Sequence, residues 1–219
     1  TIKINDNAIL NIIIRIFHLL LLITLISSKD KSSLILYSFS NTNTITLKFH
    51  KEGNFKIIDS SFLDNNPYNK IIINKEIKTE KIHTYNFKQT ENIVELIWEY
   101  NIINCYAMFR DCNGISEIDL SHFDTSQVKD MQEMFCRCSS VTSINLSNFI
   151  IKSGANMIKM FEGCSSLTSI NFEKIGLTDV GMIHYMFSGC SSLSSLDLSN
   201  FHFFDNTDIE YIFTGCIHL

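Results

Sequence analysis

The chain has 219 residues, a formal charge of −5 and 19% charged residues, which is length enough for one or two domains with a sizeable core. It has no basic run of the kind that holds a nucleic acid, and no acidic tail of the kind that stays disordered. With one proline (Pro67) and eight glycines it is neither linker-rich nor collagen-like.

Residues 1–28 read first as a targeting segment. Lys3 and Arg15 precede an apolar run from Ile16 to Ile26, and Ser27 and Ser28 follow it. Positive charge, a short apolar core and then small residues describe a secretory signal. The run is 11 residues, short of the ~20 a helix needs to cross a bilayer core of about 30 Å. The other readings are an uncleaved membrane anchor, and a buried core helix or a mistranslated gene start. The chain begins at Thr1 rather than Met and ends on "CIHL", the opening of another repeat, so it reads as a fragment of a longer protein.

Residues 29–100 read as a β-rich capping region. In "TITLKFH", Ile45, Leu47 and Phe49 alternate with Thr46, Lys48 and His50, the period of a half-buried strand. "EGN" at 52–54 predicts a hairpin turn from this strand into "FKIID". "KIIIN" (70–74) and "IVELIWEY" (93–100) are further strands, and "FLDNNPYN" (62–69) is a loop around Pro67. The expected role of this region is to shield the first unit of the array that follows.

From residue 101 to 219 the chain repeats with a period of 26, about four and a half times. Phe109, Phe135, Phe161, Phe187 and Phe213 hold one slot, and Cys112, Cys138, Cys164, Cys190 and Cys216 another. "SLSSLDLSNF" alternates as a strand, with Leu196 and Leu198 on one side and Ser195, Asp197 and Ser199 on the other. "SQVKDMQEMF" places Val128, Met131, Met134 and Phe135 at helical offsets, with Ser126 as its N-cap. Gly163, Gly189 and Gly215 fall where a left-handed residue closes a helix; Asp111 and Arg137 hold that slot in the other units. The third unit departs from the pattern at Gly154, Phe172 and Ile175, which predicts a looser coil near 150–157. The fold class expected is therefore an α/β repeat solenoid, leucine-rich-repeat-like. Its parallel sheet lies on one face, its short helices on the other, and a β-rich N-terminal cap precedes it.

The stretch "MFRDCNGISEIDLSHFDTSQVKDMQEMF" (108–135) resembles the 26-residue repeat of the BspA-like leucine-rich-repeat surface proteins, and the resemblance covers 102–219. More weakly, "NIVELIWEYNIINCYAMF" (92–109) resembles the entry segment of protist members. The resemblance implies a surface or secreted, non-enzymatic array, with adhesion proposed for some relatives. It brings no catalytic residue, metal or cofactor.

The outward strand positions form three polar ladders. One is Asp119, Asn145, Asn171 and Asp197; beside it run Glu117, Ser143, Ser169 and Ser195, then Ser121, Ser147, Glu173 and Ser199. Together they are the candidate interaction surface, or else a merely solvated face. The five in-register cysteines read as small core thiols, since parallel side chains suit the near-90° disulfide torsion badly. Cys105 shares the Met131 slot and reads as core; Cys136 reads as exposed. Asn145-Leu146-Ser147 is a glycosylation sequon inside a strand, and the histidines are scattered with no catalytic context.

Three functions compete. The first is a cell-surface or secreted repeat protein that binds a protein or glycan along the sheet face. The second is an intracellular scaffold, for which free cysteines are natural. The third is the non-catalytic repeat region of a larger enzyme. Nucleic acid is not expected as a partner, and membrane contact is expected only through a terminal anchor.

Overall fold

The computed structural model describes residues 43–146, 148–172, 178–203, 205 and 207–219. The signal, anchor or core-helix reading of 1–28 lies outside the described residues, as do Ser147, Glu173 and Ile175. No helix among the described residues is long and apolar enough to cross a membrane.

Strand β1 (Asn43–Phe49) lies inside a six-stranded sheet, with Ile45, Leu47 and Phe49 fully buried. The others are β3 (Lys70–Ile73), β4 (Glu76–Lys78), β6 (Asn92–Trp98), β7 (Glu117–His122) and β8 (Ser143–Asn145). Their order is β4-β3-β6-β1-β7-β8. Leu47 faces Val94 across one antiparallel pairing and Ile118 across the other. Both edges of β1 are therefore occupied, and the hairpin expected through "EGN" does not form. Instead β2 (Gly53–Lys56) pairs antiparallel with β5 (Thr84–Phe87). The sheet is mixed, because β7 and β8, from the first two repeats, run parallel.

Part of the loop expected over 62–69 is helical. Helix α1 spans Ser60–Asn65, capped by the Asp59 carboxylate, which accepts from the Ser61 and Phe62 amides at 2.9 and 3.3 Å. Asp59 is buried, and Lys56 Nζ lies 2.7 Å from it. Burial alone would raise its pKa; the hydrogen bonds from Lys56 and Ser61 outweigh it and hold the carboxyl at about 2. The same corner reaches the first repeat. The Asp59 amide donates to Met108 O at 2.9 Å, and Lys56 Nζ to Arg110 O at 2.7 Å. The adjoining Gly114 packs so close to the Phe55 ring that a Cβ there would collide with it.

The helical half of each repeat is where expectation and structure part. Residues 104–112, 130–138, 156–164, 182–190 and 208–216 form rungs of consecutive tight turns, not helices. Within the first rung, Met108 N bonds to Cys105 O, Arg110 N to Ala107 O and Cys112 N to Phe109 O. The alternate amides point out of the rung. Cys105, Ala107, Phe109 and Asp111 donate to Asp130, Gln132, Met134 and Cys136 of the next, at 2.8–2.9 Å. The second rung repeats this onto the third, and the third onto the fourth. A helix would spend every amide on its own i−4 carbonyl. Here two left-handed residues per rung forbid it. They are Ala107, Glu133, Lys159, Tyr185 and Tyr211 in one slot, and Asp111, Arg137, Gly163, Gly189 and Gly215 in the other. Glycine takes the second slot without strain; Asp111 and Arg137 take it while clamped to each other by two ion-pair contacts of 2.5 and 3.1 Å.

The α/β solenoid expected from the repeat is thus not the fold formed. The chain is mostly strand and turn, and α1 is the one helix among the described residues. Nor does one parallel sheet run the length of the repeats. β7 and β8 belong to the mixed sheet, while β9 (Ser169–Ile170) and β11 (Ser195–Leu196) form a separate parallel pair. Another parallel pair joins β10 (Thr178–Val180) to β12 (Phe201–Phe203). Ser126 does not cap a helix, since none follows it; its amide donates to Asp124 Oδ1 at 2.8 Å. Near 150–157 the rung-to-rung bonds continue, with Asn156 N on Lys129 O and Met157 N on Met182 O, both 2.8 Å.

One apolar core runs from the entry sheet through the rungs. Phe109, Phe135, Phe161 and Phe187 are fully buried, and their rings stack at 5.3–5.9 Å with interplanar angles of 13° or less. Phe213 adds a fifth ring at 6.0 Å and is 40% exposed. Each stacked pair adds about 0.5–1.5 kcal/mol beyond its burial. Phe172, which interrupts the strand pattern of the third repeat, meets Phe161, Phe187 and Phe201 edge-on at 5.0–6.3 Å.

Phe161→Ala is expected to cost about 3–5 kcal/mol in urea unfolding, because it empties the middle of this stack. An unfolding midpoint unmoved by the change would contradict the stacked core. Asp59→Asn tests the buried carboxylate. With its folded pKa depressed to about 2, Asp59 adds stability above its ordinary value of 3.8, and that stability is lost as pH falls through about 2. The variant should be about 2 kcal/mol less stable at pH 7 and should lose this part of the acid dependence.

Candidate functional site

The polar face of the sheet starts from the alternation along β1 and β7. Inward Ile118 and Leu120 fix the register, so Glu117, Asp119 and Ser121 turn outward, half-buried. Antiparallel pairing then sets Lys48 opposite Glu117 and Thr46 opposite Asp119. Parallel pairing sets Ser143 and Asn145 of β8 on the other side, both exposed. Thr46, Lys48, Glu117, Asp119, Ser143 and Asn145 line a shallow cleft of about 300 Å³.

The charges in this cleft are matched to one another. Lys48 Nζ lies 2.6 Å from Glu117 Oε2. The hydrogen bond to Glu117, then its charge, raises the Lys48 pKa. With both side chains a third or more exposed, such a pair is worth about 0–1 kcal/mol. Asp119 Oδ1 accepts from Asn145 Nδ2 and from the Ser121 amide, each at 2.9 Å. The Glu117–Lys48 pair continues into a larger depression of about 740 Å³ beside it, where His50, Glu91, Asn92 and Glu95 stand. His50 Nε2 lies 3.6 Å from Glu91 and 3.7 Å from Glu117.

The remaining ladder residues do not join this cleft. Ser169 and Ser195 are exposed and pair with each other across β9 and β11. Asn171, Asp197 and Ser199 are exposed just past the ends of those short strands. The polar ladder is therefore broken into two patches rather than continued along one sheet. Sequence reasoning missed Thr46, Lys48 and His50 as members of the face. Their outward alternation was visible, but nothing local says that β1 pairs with a strand about 70 positions away.

All seven cysteines are free. Cys112, Cys138, Cys164 and Cys190 are fully buried, and Cys216 is half-buried. From the second repeat on, each thiol of the slot donates to the Phe carbonyl one rung back: Cys138 to Phe109 O, Cys164 to Phe135 O, Cys190 to Phe161 O and Cys216 to Phe187 O, at 3.0–3.2 Å. The slot thus asks for a small apolar side chain with a donor. Cys105 is buried as core. Cys136, expected on the surface, is also buried, because Glu162 of the next rung covers it, with Oε2 at 3.5 Å from the sulfur. Burial pushes the Cys136 and Cys190 thiols up to about 12 and holds Cys112 and Cys164 well above the ordinary value. Thiols so perturbed are structural, not nucleophilic.

No curated protein and no solved structure matches the chain. The repeats themselves are matched over residues 103–219, more than half of the sequence, and on that match the chain belongs to the family described as Mycoplasma protein of unknown function, DUF285.

Proposed function

We propose that this is a non-catalytic, cell-surface or secreted interaction protein that binds a protein or glycan through the β1–β7–β8 face. The observation that carries the reading is the cleft itself. A rigid sheet holds Lys48, Glu117, Asp119 and Asn145 in fixed, mutually satisfied positions around about 300 Å³. Groups so paired offer hydrogen bonds to a ligand without reorganising, which suits recognition rather than proton transfer. The likeness of the 108–135 repeat to BspA-like surface proteins supports the same role. Binding should be sought on a printed glycan array and a displayed peptide library. Asp119→Lys with Asn145→Lys should abolish what the parent binds while urea unfolding stays cooperative, at a cost of about 1–2 kcal/mol for the two hydrogen bonds to Asp119. A silent parent, or a double variant that binds as well, would overturn the proposal.

A second reading, an intracellular scaffold, is favoured by one observation: seven free thiols, which suit a reducing compartment. Thiol titration of denatured protein from its native cells separates the two. Seven reactive thiols in a cytosolic fraction would replace the surface reading with this one.

A further inference from the structure

The turn rungs place three side-chain slots together wherever one rung lies on the next. Two come from the later rung, at its first and third positions, and one from the third position of the earlier rung. Between the first and second rungs these slots hold Tyr106, Asp130 and Gln132; between the second and third, Gln132, Asn156 and Ile158. Between the third and fourth they hold Ile158, Met182 and His184. Between the fourth and fifth they hold His184, Asp208 and Glu210, three metal-ligating side chains at once.

We propose that His184, Asp208 and Glu210 form a binding site for a divalent transition-metal ion, with the imidazole and two carboxylates as ligands. Their ligand atoms lie within 4.8 Å of one another. His184 Nδ1 is 3.0 Å from Asp208 Oδ2, the spacing of neighbouring ligands whose bonds to the metal are about 2.0–2.2 Å. Glu210 is exposed and needs a movement on the order of 1 Å to complete the shell.

A second observation separates this set from an ordinary ion pair. At the equivalent place between the second and third rungs, the diagonal pair makes a plain hydrogen bond, Asn156 Nδ2 to Gln132 Oε1 at 3.0 Å. His184 Nδ1 is closed to solvent and, although Asp208 Oδ2 lies 3.0 Å away as an ion-pair partner, it makes no well-aligned hydrogen bond. A shielded imidazole nitrogen without a well-aligned partner, beside two carboxylates, is what a shared cation would satisfy. The site is also positioned before any ion arrives. Asp208 Oδ1 accepts the Glu210 amide at 2.9 Å, and the His184 ring sits edge-on to Tyr185 at 4.3 Å, beside the Tyr185–Tyr211 stack. One imidazole with two carboxylates suits zinc, nickel or manganese better than a thiolate-seeking ion.

The test is calorimetric titration of the whole chain with Ni²⁺ alone, and with Zn²⁺ alone. One ion should bind per chain. His184→Gln and, separately, Glu210→Gln should weaken it at least about tenfold, since even outer partners of a metal site are worth about 10–100-fold. Glu210 is exposed, so its variant keeps the fold. Cys216, the least buried thiol, is present in every variant. Equal binding by His184→Gln therefore assigns the metal elsewhere and overturns the proposal. So does the absence of binding at millimolar metal, which would leave His184 and Asp208 as an ion pair only.

Discussion

Everything in the repeat region depends on the alternate backbone amides of one rung reaching the carbonyls of the next. Cys105, Ala107, Phe109 and Asp111 hand their N–H groups forward by 25 residues, and the following rungs do the same. The intervening amides close tight turns inside their own rung. An isolated repeat could satisfy only this second set; the forward-pointing donors would be left without protein partners. The left-handed residues at the fourth and eighth rung positions make this division possible. Once the backbones are so stacked, the side chains of each slot are carried into register. The aromatic stack, the thiol-to-carbonyl bonds and the Asp111–Arg137 clamp follow from that spacing.

The first rung has no earlier rung to donate amides to its carbonyls. The entry region supplies that edge with the Asp59 amide and the Lys56 ammonium on Met108 O and Arg110 O. The same corner carries the capped helix and the most strongly depressed carboxyl among the described residues. A buried ionised carboxylate is tolerated because it is hydrogen-bonded to Lys56 and Ser61 and to two backbone amides. β1 also pairs with β7, so the entry region holds the first repeat through both its sheet edge and its turns.

This arrangement also explains how one repeat can host different chemistry at different heights. The inward slots tolerate little change, since Phe, Met and Cys there touch their own kind above and below. The outward slots are free to vary, yet their geometry is set by the same backbone bonds. Asn104, Asp130, Asn156 and Asp208 each turn a side-chain oxygen onto the amide two residues on, at 2.7–3.2 Å. Against that constant framework His184 and Glu210 acquire their positions from residues that do something else in neighbouring rungs.

The period of 26, the Phe and Cys slots, the inward alternation of β1 and the left-handed position at Gly163, Gly189 and Gly215 were all legible in the sequence. Each is a local or strictly repeated preference. The helix over 126–135 was misread because apolar residues three apart, Val128, Met131 and Met134, suit consecutive turns as well as a helix. The deciding residue, left-handed Glu133, carries no signature of its own. The hairpin after β1 failed because strand pairing is a competition among distant edges, and β6 and β7 won both. The candidate face was half legible: its outward ladder on β7 and β8 could be read, whereas Thr46, Lys48 and His50 could not be assigned to it. By itself, then, the sequence determined which repeated slots are inside and with what period they recur, but not that Cys136 would be covered by the next rung. Only the tertiary structure decided where the backbone hydrogen bonds go, because that choice is made between chain segments 25 or 70 residues apart.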